Sequence, residues 1–391
     1  MKRLTAQYVI TNSGPPLKRA IITTEDDGTI ISIEDTSGVL TEEHSTEFYN
    51  GIIIPGLVNC HCHLELSHMK NSTSKGKGLG GFIEEIRNTR DYNKVDASSY
   101  AIAADNQMYS EGIVLCADVC NTTDSFSLKK ESRIRYINLL EVFGLDPGKA
   151  ERRINDIIKV AITAKENNLS YSLVPHSAYS MSLTLFKLLR NESLNNKVTS
   201  IHFLESEGEG SFLKNQTGSL MKSYERAGLI PQRLETAVDH ADVITNEVTP
   251  SGNLILVHNT FADRSTIKKV KVRNNLFWCL CPNSNIFIEN NVPPVKLFIE
   301  EGCQIVIGTD SLASNNNLSI LNELKTIQLY FPEISIEDLI SWATINGATA
   351  LGEEGQFGSI KPGKKPGLLL LENVDLQNMK LLPDSFVTRL I

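Results

Sequence analysis

Five apolar runs in this 391-residue chain each stop at a residue of the kind that binds metal or moves protons. That repetition limits the fold more than any other feature. Leu57-Val58-Asn59-Cys60 leads into His61 and His63, and Tyr171-Ser172-Leu173-Val174-Pro175 into His176. Val198-Thr199-Ser200-Ile201 leads into His202, Leu254-Ile255-Leu256-Val257 into His258, and Gln304-Ile305-Val306-Ile307 into Gly308-Thr309-Asp310. Short runs of this kind, rich in β-branched residues, read as buried strands. A polar group at the end of a buried strand is expensive unless several such groups meet and satisfy one another. The pattern therefore asks for strands whose C-terminal ends converge.

The segments between these runs alternate in the same sense. Strand-like stretches at Gly112–Asp118, Ile134–Glu141 and Phe277–Cys281 bring the strand count to eight. Helical periodicity is read at Ser98–Ser110, Glu151–Asn167, Ser182–Arg190, Leu220–Ala227 and Arg233–Asp239. Alternating strands and helices argue for an α/β fold with a parallel, closed sheet. From His61 to Asp310 the chain spans about 250 residues, the typical length of a (β/α)₈ TIM barrel. The ends lie outside that count. Residues 6–12, 18–24 and 28–34, and the turn-then-strand stretch Gly358–Leu371, predict a small β-sandwich-like domain built from both termini. The expected boundaries are 1–54 with 358–391 for this composite β domain, and 55–357 for the barrel. The Gly- and Ser-rich loop Asn71–Gly81 reads as a mobile lid over the barrel mouth.

Side chains alternate along a strand, so His61 and His63 share a face and suit one metal ion. Cys60 and Cys62 then face the other way, packed as small hydrophobes under covering helices. Zinc knuckles use Cys-x-x-Cys, so Cys60, Cys62, Cys279 and Cys281 are not read as a four-cysteine site. His44, beside Glu42 and Glu43, and His240, between Asp239 and Asp242, look solvated, and His68 falls in a loop. Glu205, three residues past His202, cannot share its strand face and must come from the following loop. There it overhangs the site as a proton carrier. The alternative for Glu205 is a solvated loop carboxylate, since Glu207 and Glu209 follow it.

Composition narrows the partners. Net charge is −8 and 41% of residues are hydrophobic, which points away from a nucleic acid polymer or an anionic membrane surface. No apolar stretch is long enough to cross a bilayer. Met1-Lys2-Arg3-Leu4 is followed by no apolar signal-type region, and seven cysteines, an odd number, argue against a disulfide framework. A cytoplasmic enzyme with a small-molecule substrate is the expectation. Homo-oligomer formation stays open.

Taken together, His61-Cys62-His63, His202-Phe203-Leu204-Glu205, His258, Cys281-Pro282-Asn283-Ser284-Asn285 and Gly308-Thr309-Asp310-Ser311 resemble the amidohydrolase superfamily. The nearest branch holds deaminases and chlorohydrolases, among them adenosine, guanine, S-adenosylhomocysteine and aminofutalosine deaminases. The resemblance implies one divalent metal, zinc or iron, on His61, His63, His202 and Asp310. It implies Glu205 as proton shuttle and His258, with Asp310, on the attacking water. It also places His176 against substrate, and the wording His63-Leu64-Glu65 puts Glu65 at the pocket. Binuclear members carry a strand-4 lysine; this strand ends in His176, which favours a single metal. The implied activity is hydrolysis of a carbon–nitrogen bond other than a peptide bond, as deamination of an amino-substituted heterocycle with release of ammonia. Two alternatives remain at this point: hydrolytic dechlorination of a triazine-like ring, and a catalytically silent barrel serving assembly or binding.

Overall fold

The computed structural model describes residues 1–39, 45–90, 97–236, 239–249 and 251–391. His44 lies outside them. The strands are β1 (Lys2–Val9), β2 (Leu17–Lys18), β3 (Ile21–Thr24), β4 (Ile30–Glu34), β5 (Thr46–Pro55), β6 (Leu57–Cys62), β7 (Ile113–Cys120) and β8 (Arg135–Val142). They continue as β9 (Tyr171–Pro175), β10 (Val198–Phe203), β11 (Asn253–His258), β12 (Leu276–Leu280), β13 (Gln304–Ile307), β14 (Leu368–Asp375) and β15 (Lys380–Arg389).

β6 to β13 are the eight alternating strands, and they form two four-stranded parallel sheets, β6-β7-β8-β9 and β10-β11-β12-β13. Parallel bridges link the free edges, Ser177 to His202 on one side and Cys62 to Asp310 on the other. The first is the His202 amide donating to the His176 carbonyl at 2.8 Å; at the second, the Thr309 and Asp310 amides both donate to the His61 carbonyl at 3.0 Å. Gly308 makes that approach feasible: a Cβ there would lie 2.7 Å from His61 Cβ and 2.8 Å from Cys279 Sγ.

Two apolar layers flank these strands. One, with Val58, Cys60, Leu115, Leu139, Val174, Ile255, Val257, Phe277, Cys279 and Val306, also takes in Ala348 and Ala350 of the helix Ile345–Ala350. That helix sits at the N-terminal ends of the strands, where Asn253, the first residue of β11, donates to the Thr349 and Ala350 carbonyls at 2.8 and 3.1 Å. The other layer, with Cys62, Cys116, Cys120, Leu140, Ile201, Phe203 and Leu280, packs against the helices. Cys60 and Cys62 thus belong to different layers, contrary to simple alternation. The pairing of β6 with β7 shifts register between Asn59 and Cys62, and the irregularity turns one residue relative to the other.

The terminal strands join in a single seven-stranded sheet of order β15-β14-β5-β1-β3-β4, with β2 on β1. Its own apolar cluster gathers Leu4, Ala6, Ile22, Ile53, Leu368 and Leu370. The helices expected at 98–110, 151–167, 182–190 and 220–227 are present as Ala97–Ser110, Ala150–Glu166, Leu183–Glu192 and Gly218–Arg226. Residues 233–236 are not helical, and 237 and 238 lie outside the described residues. No helix among the described residues is long and apolar enough to cross a membrane.

Candidate active site

The strand ends meet as their sequence positions require. His61 and His63 bring their Nε2 atoms within 3.1 Å of each other. Asp310 turns Oδ1 towards both, 3.8 Å from His61 Nε2 and 3.5 Å from His63 Nε2. Its Oδ2 is occupied elsewhere, accepting Ser284 Oγ–H at 2.6 Å and Ser314 Oγ–H at 2.7 Å. His202 joins them, with one ring nitrogen of each of His61, His63 and His202 within 4.8 Å of the others. His202 donates from Nδ1 to the His176 carbonyl at 3.0 Å, so its Nε2 is left as a lone pair.

Electrostatics reinforce the geometry. Burial pushes His61 well below the usual imidazole range, helped by the neighbouring rings. Burial likewise takes His63 and His258 down to about 3. Asp310 is held below the ordinary carboxylate range: burial opposes this, but His63, His258 and the two serine hydroxyls prevail. Neutral imidazole lone pairs converging on an ionised carboxylate form a donor set that a small cation completes. Two nitrogens about 3.1 Å apart suit a shared ion at ~2.0–2.1 Å from each. A second trio, Glu141, His176 and His202, is also close. There the His202 Nδ1–H is already committed to the His176 carbonyl, so its one lone pair, on Nε2, can serve only one of the two trios.

Glu205 lies beside this cluster. Its Oε1 is 3.7 Å from His258 Nε2, and Tyr179 donates its hydroxyl to Oε2 at 3.1 Å. Burial raises the Glu205 carboxyl well above its ordinary value, and the Glu209 and Asp310 carboxylates add to the rise. A carboxyl raised by burial in this way is suited to carrying a proton. His258 Nδ1 pairs with the Asn285 side-chain amide at 3.1 Å, and its Nε2 has no hydrogen-bond partner among the described residues. The chain turns sharply where these side chains are presented: φ is 51° at Leu204, 77° at His258 and 58° at Asp310. Each is a left-handed conformation at a non-glycine residue, costing about 1–3 kcal/mol.

His63, His176, His202, Glu205, His258 and Asp310 all border one cavity of about 490 Å³. His176 stacks on His202 with ring centroids 4.5 Å apart, and its Nδ1 is engaged by Ser177 and Ser180. Glu65 is elsewhere. It accepts the Asn121 and Thr122 amides at 3.1 and 3.0 Å and borders a separate cavity with His68 and Arg90, so it does not line the main pocket. His68 is not in an open loop but buried in the 3₁₀ turn Leu64–Met69. The loop 71–81 is hydrogen-bonded to the helix Pro282–Glu289. Gly76 donates to the Phe287 carbonyl at 2.8 Å and Leu79 to Glu289 at 2.7 Å. It delivers the helix Gly78–Thr89, whose Leu79, Phe82, Ile83 and Ile86 form an apolar wall of the main cavity.

Several contributors escaped the sequence reading: Glu141, Tyr179, Ser314, Glu209 and His240, while Ser284 and Asn285 were noted only as part of a motif and given no role. Glu209 is fully buried and His240 nearly so, bonded to each other at 3.0 Å rather than solvated. The segment after Glu205 is a helix, Glu207–Asn215, opened by a capping box from Ser206 to Glu209. The S-x-x-E spacing was the available signal for it.

Among known proteins, an adenosine deaminase of Helicobacter pylori is 26% identical over 82% of this chain and 79% of its own length. A 5′-deoxyadenosine deaminase of Methanobrevibacter smithii is 27% identical over 86% of this chain and 75% of its own. The solved structure of H. pylori aminofutalosine deaminase in complex with methylthio-coformycin shares the fold, with a TM-score of 0.78, 22% identity, and coverage of 95% and 92% of the two chains. The profile of the amidohydrolase family matches residues 52–388, and the chain belongs to that family.

Proposed function

We propose that this amidohydrolase is a single-metal aminohydrolase that deaminates an adenosine-like nucleoside. One observation carries the reading: a buried Glu205, its carboxyl pushed above the ordinary range by burial, lies 3.7 Å from His258, beside converging imidazoles and Asp310. His61, His63, His202 and Asp310 would hold the metal, with zinc favoured and iron also suited to imidazole ligands. When bound, the metal supplies a nucleophile at neutral pH by acidifying a water. His258, kept neutral by burial, orients that water through Nε2, and the Asp310 carboxylate accepts its proton. Glu205 protonates the ring nitrogen next to the amino-bearing carbon and then assists departure of ammonia. The sum is amine plus water giving carbonyl plus ammonia. Chloride would leave without that proton, so the Glu205 and His258 pair favours deamination over dechlorination. The same pair speaks against a silent barrel.

The cavity supports an adenosine-like substrate with an apolar 5′ substituent. Its lining joins the polar His176, Glu205 and His258 to the apolar Leu79, Phe82, Ile83, Ile86 and Ile230, with charged side chains such as Arg87 and Arg153 also bordering it. The relatives' 5′-deoxyadenosine and the methylthio-coformycin of the solved neighbour have that character. The edge bridges support closure of the two parallel sheets into a (β/α)₈ barrel over 55–357, with 1–54 and 358–391 as the composite β domain. Six of the seven free thiols are buried and unpaired, which fits a reducing cytoplasm.

The test is ammonia release from adenosine, 5′-deoxyadenosine, methylthioadenosine, guanine and a chlorotriazine, with metal content measured in parallel. The expected result is one metal per chain and the highest kcat/KM for the 5′-deoxy or 5′-methylthio nucleoside. Chloride release without ammonia, two metals per chain, or no turnover of any adenosine compound overturns it.

A further inference from the structure

We propose that Glu209, held by His240, is the positioning residue that sets Glu205 over the substrate. The inference rests on the aminohydrolase reading, with Glu205 as proton carrier. The geometry is specific. Chain direction at Glu205 is set by no strand, because β10 ends at Phe203 and Leu204 takes a left-handed turn. What fixes the next two residues is the Glu209 carboxylate: its Oε1 accepts the Glu205 amide at 2.6 Å and the Ser206 amide at 2.8 Å. An ordinary capping box needs only the second of these bonds. The first reaches past the cap to the proposed proton carrier itself.

The other carboxylate oxygen shows that the arrangement is braced. Oε2 pairs with His240 Nε2 at 3.0 Å, and the His240 ring is edge-on to Phe203, the last residue of β10, at 6.1 Å. His240 opens a short helical turn whose cap, Asp239, accepts the Ala241 amide at 2.7 Å. A fully buried carboxylate with three partners is costly to assemble and rigid once made. Its rigidity passes by one hydrogen bond to Glu205, whose side chain is then met by Tyr179 on one oxygen and His258 on the other. Displacing a catalytic group by about 1 Å can lower turnover about 10²-fold.

The experiment pairs Glu209→Ala with Glu209→Gln and reads two quantities. Hydrogen exchange over residues 203–209 is measured on substrate-free protein, and kcat and KM on the best nucleoside of the panel. Glu209→Ala is expected to speed exchange at the Glu205 and Ser206 amides and to lower kcat by about 10- to 100-fold. KM and metal content should stay at the parental level. Glu209→Gln, which keeps an acceptor oxygen, should restore protection and most of kcat. Parental exchange at Glu205 in the alanine variant, or parental kcat, overturns the proposal, as does equal loss in both variants. If Glu209→Ala does not fold, His240→Ala replaces it, with faster exchange and lower kcat expected and parental values overturning. Absence of ammonia release by the parental chain would count against the aminohydrolase reading alone, since the exchange readout needs no substrate.

Discussion

The same eight parallel strands are apolar and closed at one end, polar and open at the other. Towards their N-terminal ends Val58, Cys60, Leu115, Ile255, Phe277 and Val306 pack under the helix Ile345–Ala350. Each such valine, leucine, isoleucine or phenylalanine, fully buried, contributes roughly 1.5–3 kcal/mol relative to exposure. At their C-terminal ends His61, His202, Glu205, His258 and Asp310 are just as buried, yet their burial works against the fold. Neutral histidines well below their usual pKa, and a glutamic acid far above its own, are the mark of that opposition. One end of the strands supplies stability and the other consumes it, which is how a rigid scaffold can carry a strained site.

The contrast can be broken most directly at the metal. His63→Ala should abolish metal retention and turnover while leaving the circular dichroism spectrum and cooperative melting intact, because the apolar layers are untouched. Unfolding of this variant would show that the polar end is structural after all.

Glu205→Gln comes next. Turnover should fall about 10²–10⁴-fold, the contribution of a positioned acid/base. Stability should move the other way. Folded Glu205 binds its proton more tightly than the unfolded residue, so its favourable contribution is complete below the ordinary value of 4.5 and is lost as pH rises towards the folded value. The glutamine variant should therefore melt higher than the parent at neutral pH, and the gain should vanish below that ordinary value. A gain that is independent of pH would refute this origin.

Gly308→Ala joins the two ends, since the added methyl meets both His61 and Cys279. Overpacking of this kind costs typically 1–3 kcal/mol, and weaker metal retention should accompany the lower melting temperature. The smallest effect is expected from Cys60→Ala and Cys62→Ala, about 1 kcal/mol each on the scale of one buried methylene. Metal content should be unchanged in Cys62→Ala, whose side chain packs with Cys116 away from the site. Loss of metal in that variant would mean the two layers are assigned the wrong way round.

The parallel strands and the converging residues were legible because five of the eight strands are short, largely apolar or β-branched runs that lead into a conspicuous polar residue, as at Val257-His258 and Ile201-His202. Where a side chain's role is set by a distant partner, the local pattern misled. Glu205-Ser206-Glu207-Gly208-Glu209 is charged enough to read as solvated, and only the fold brings His240 to Glu209. The facing of Cys60 was lost to a register shift that leaves no trace in composition. Glu65, placed at the pocket by the wording of its neighbours, is claimed by the backbone of residues 121 and 122. Residues 233–236, expected to begin a helix, had periodicity but no capping residue to start it.

The left-handed turns at Leu204, His258 and Asp310 bear on how such a chain changes over generations. Replacing His258 by glycine would relax its backbone by about 1–3 kcal/mol, in exchange for the loss of one imidazole. Mutation therefore finds stabilising routes out of activity more readily than routes into it. A copy of this chain released from selection on turnover should drift towards a tighter, inert scaffold, first losing the odd residues at its strand ends. Persistence of all three turns with their side chains in a lineage would mark it as one still under selection for chemistry.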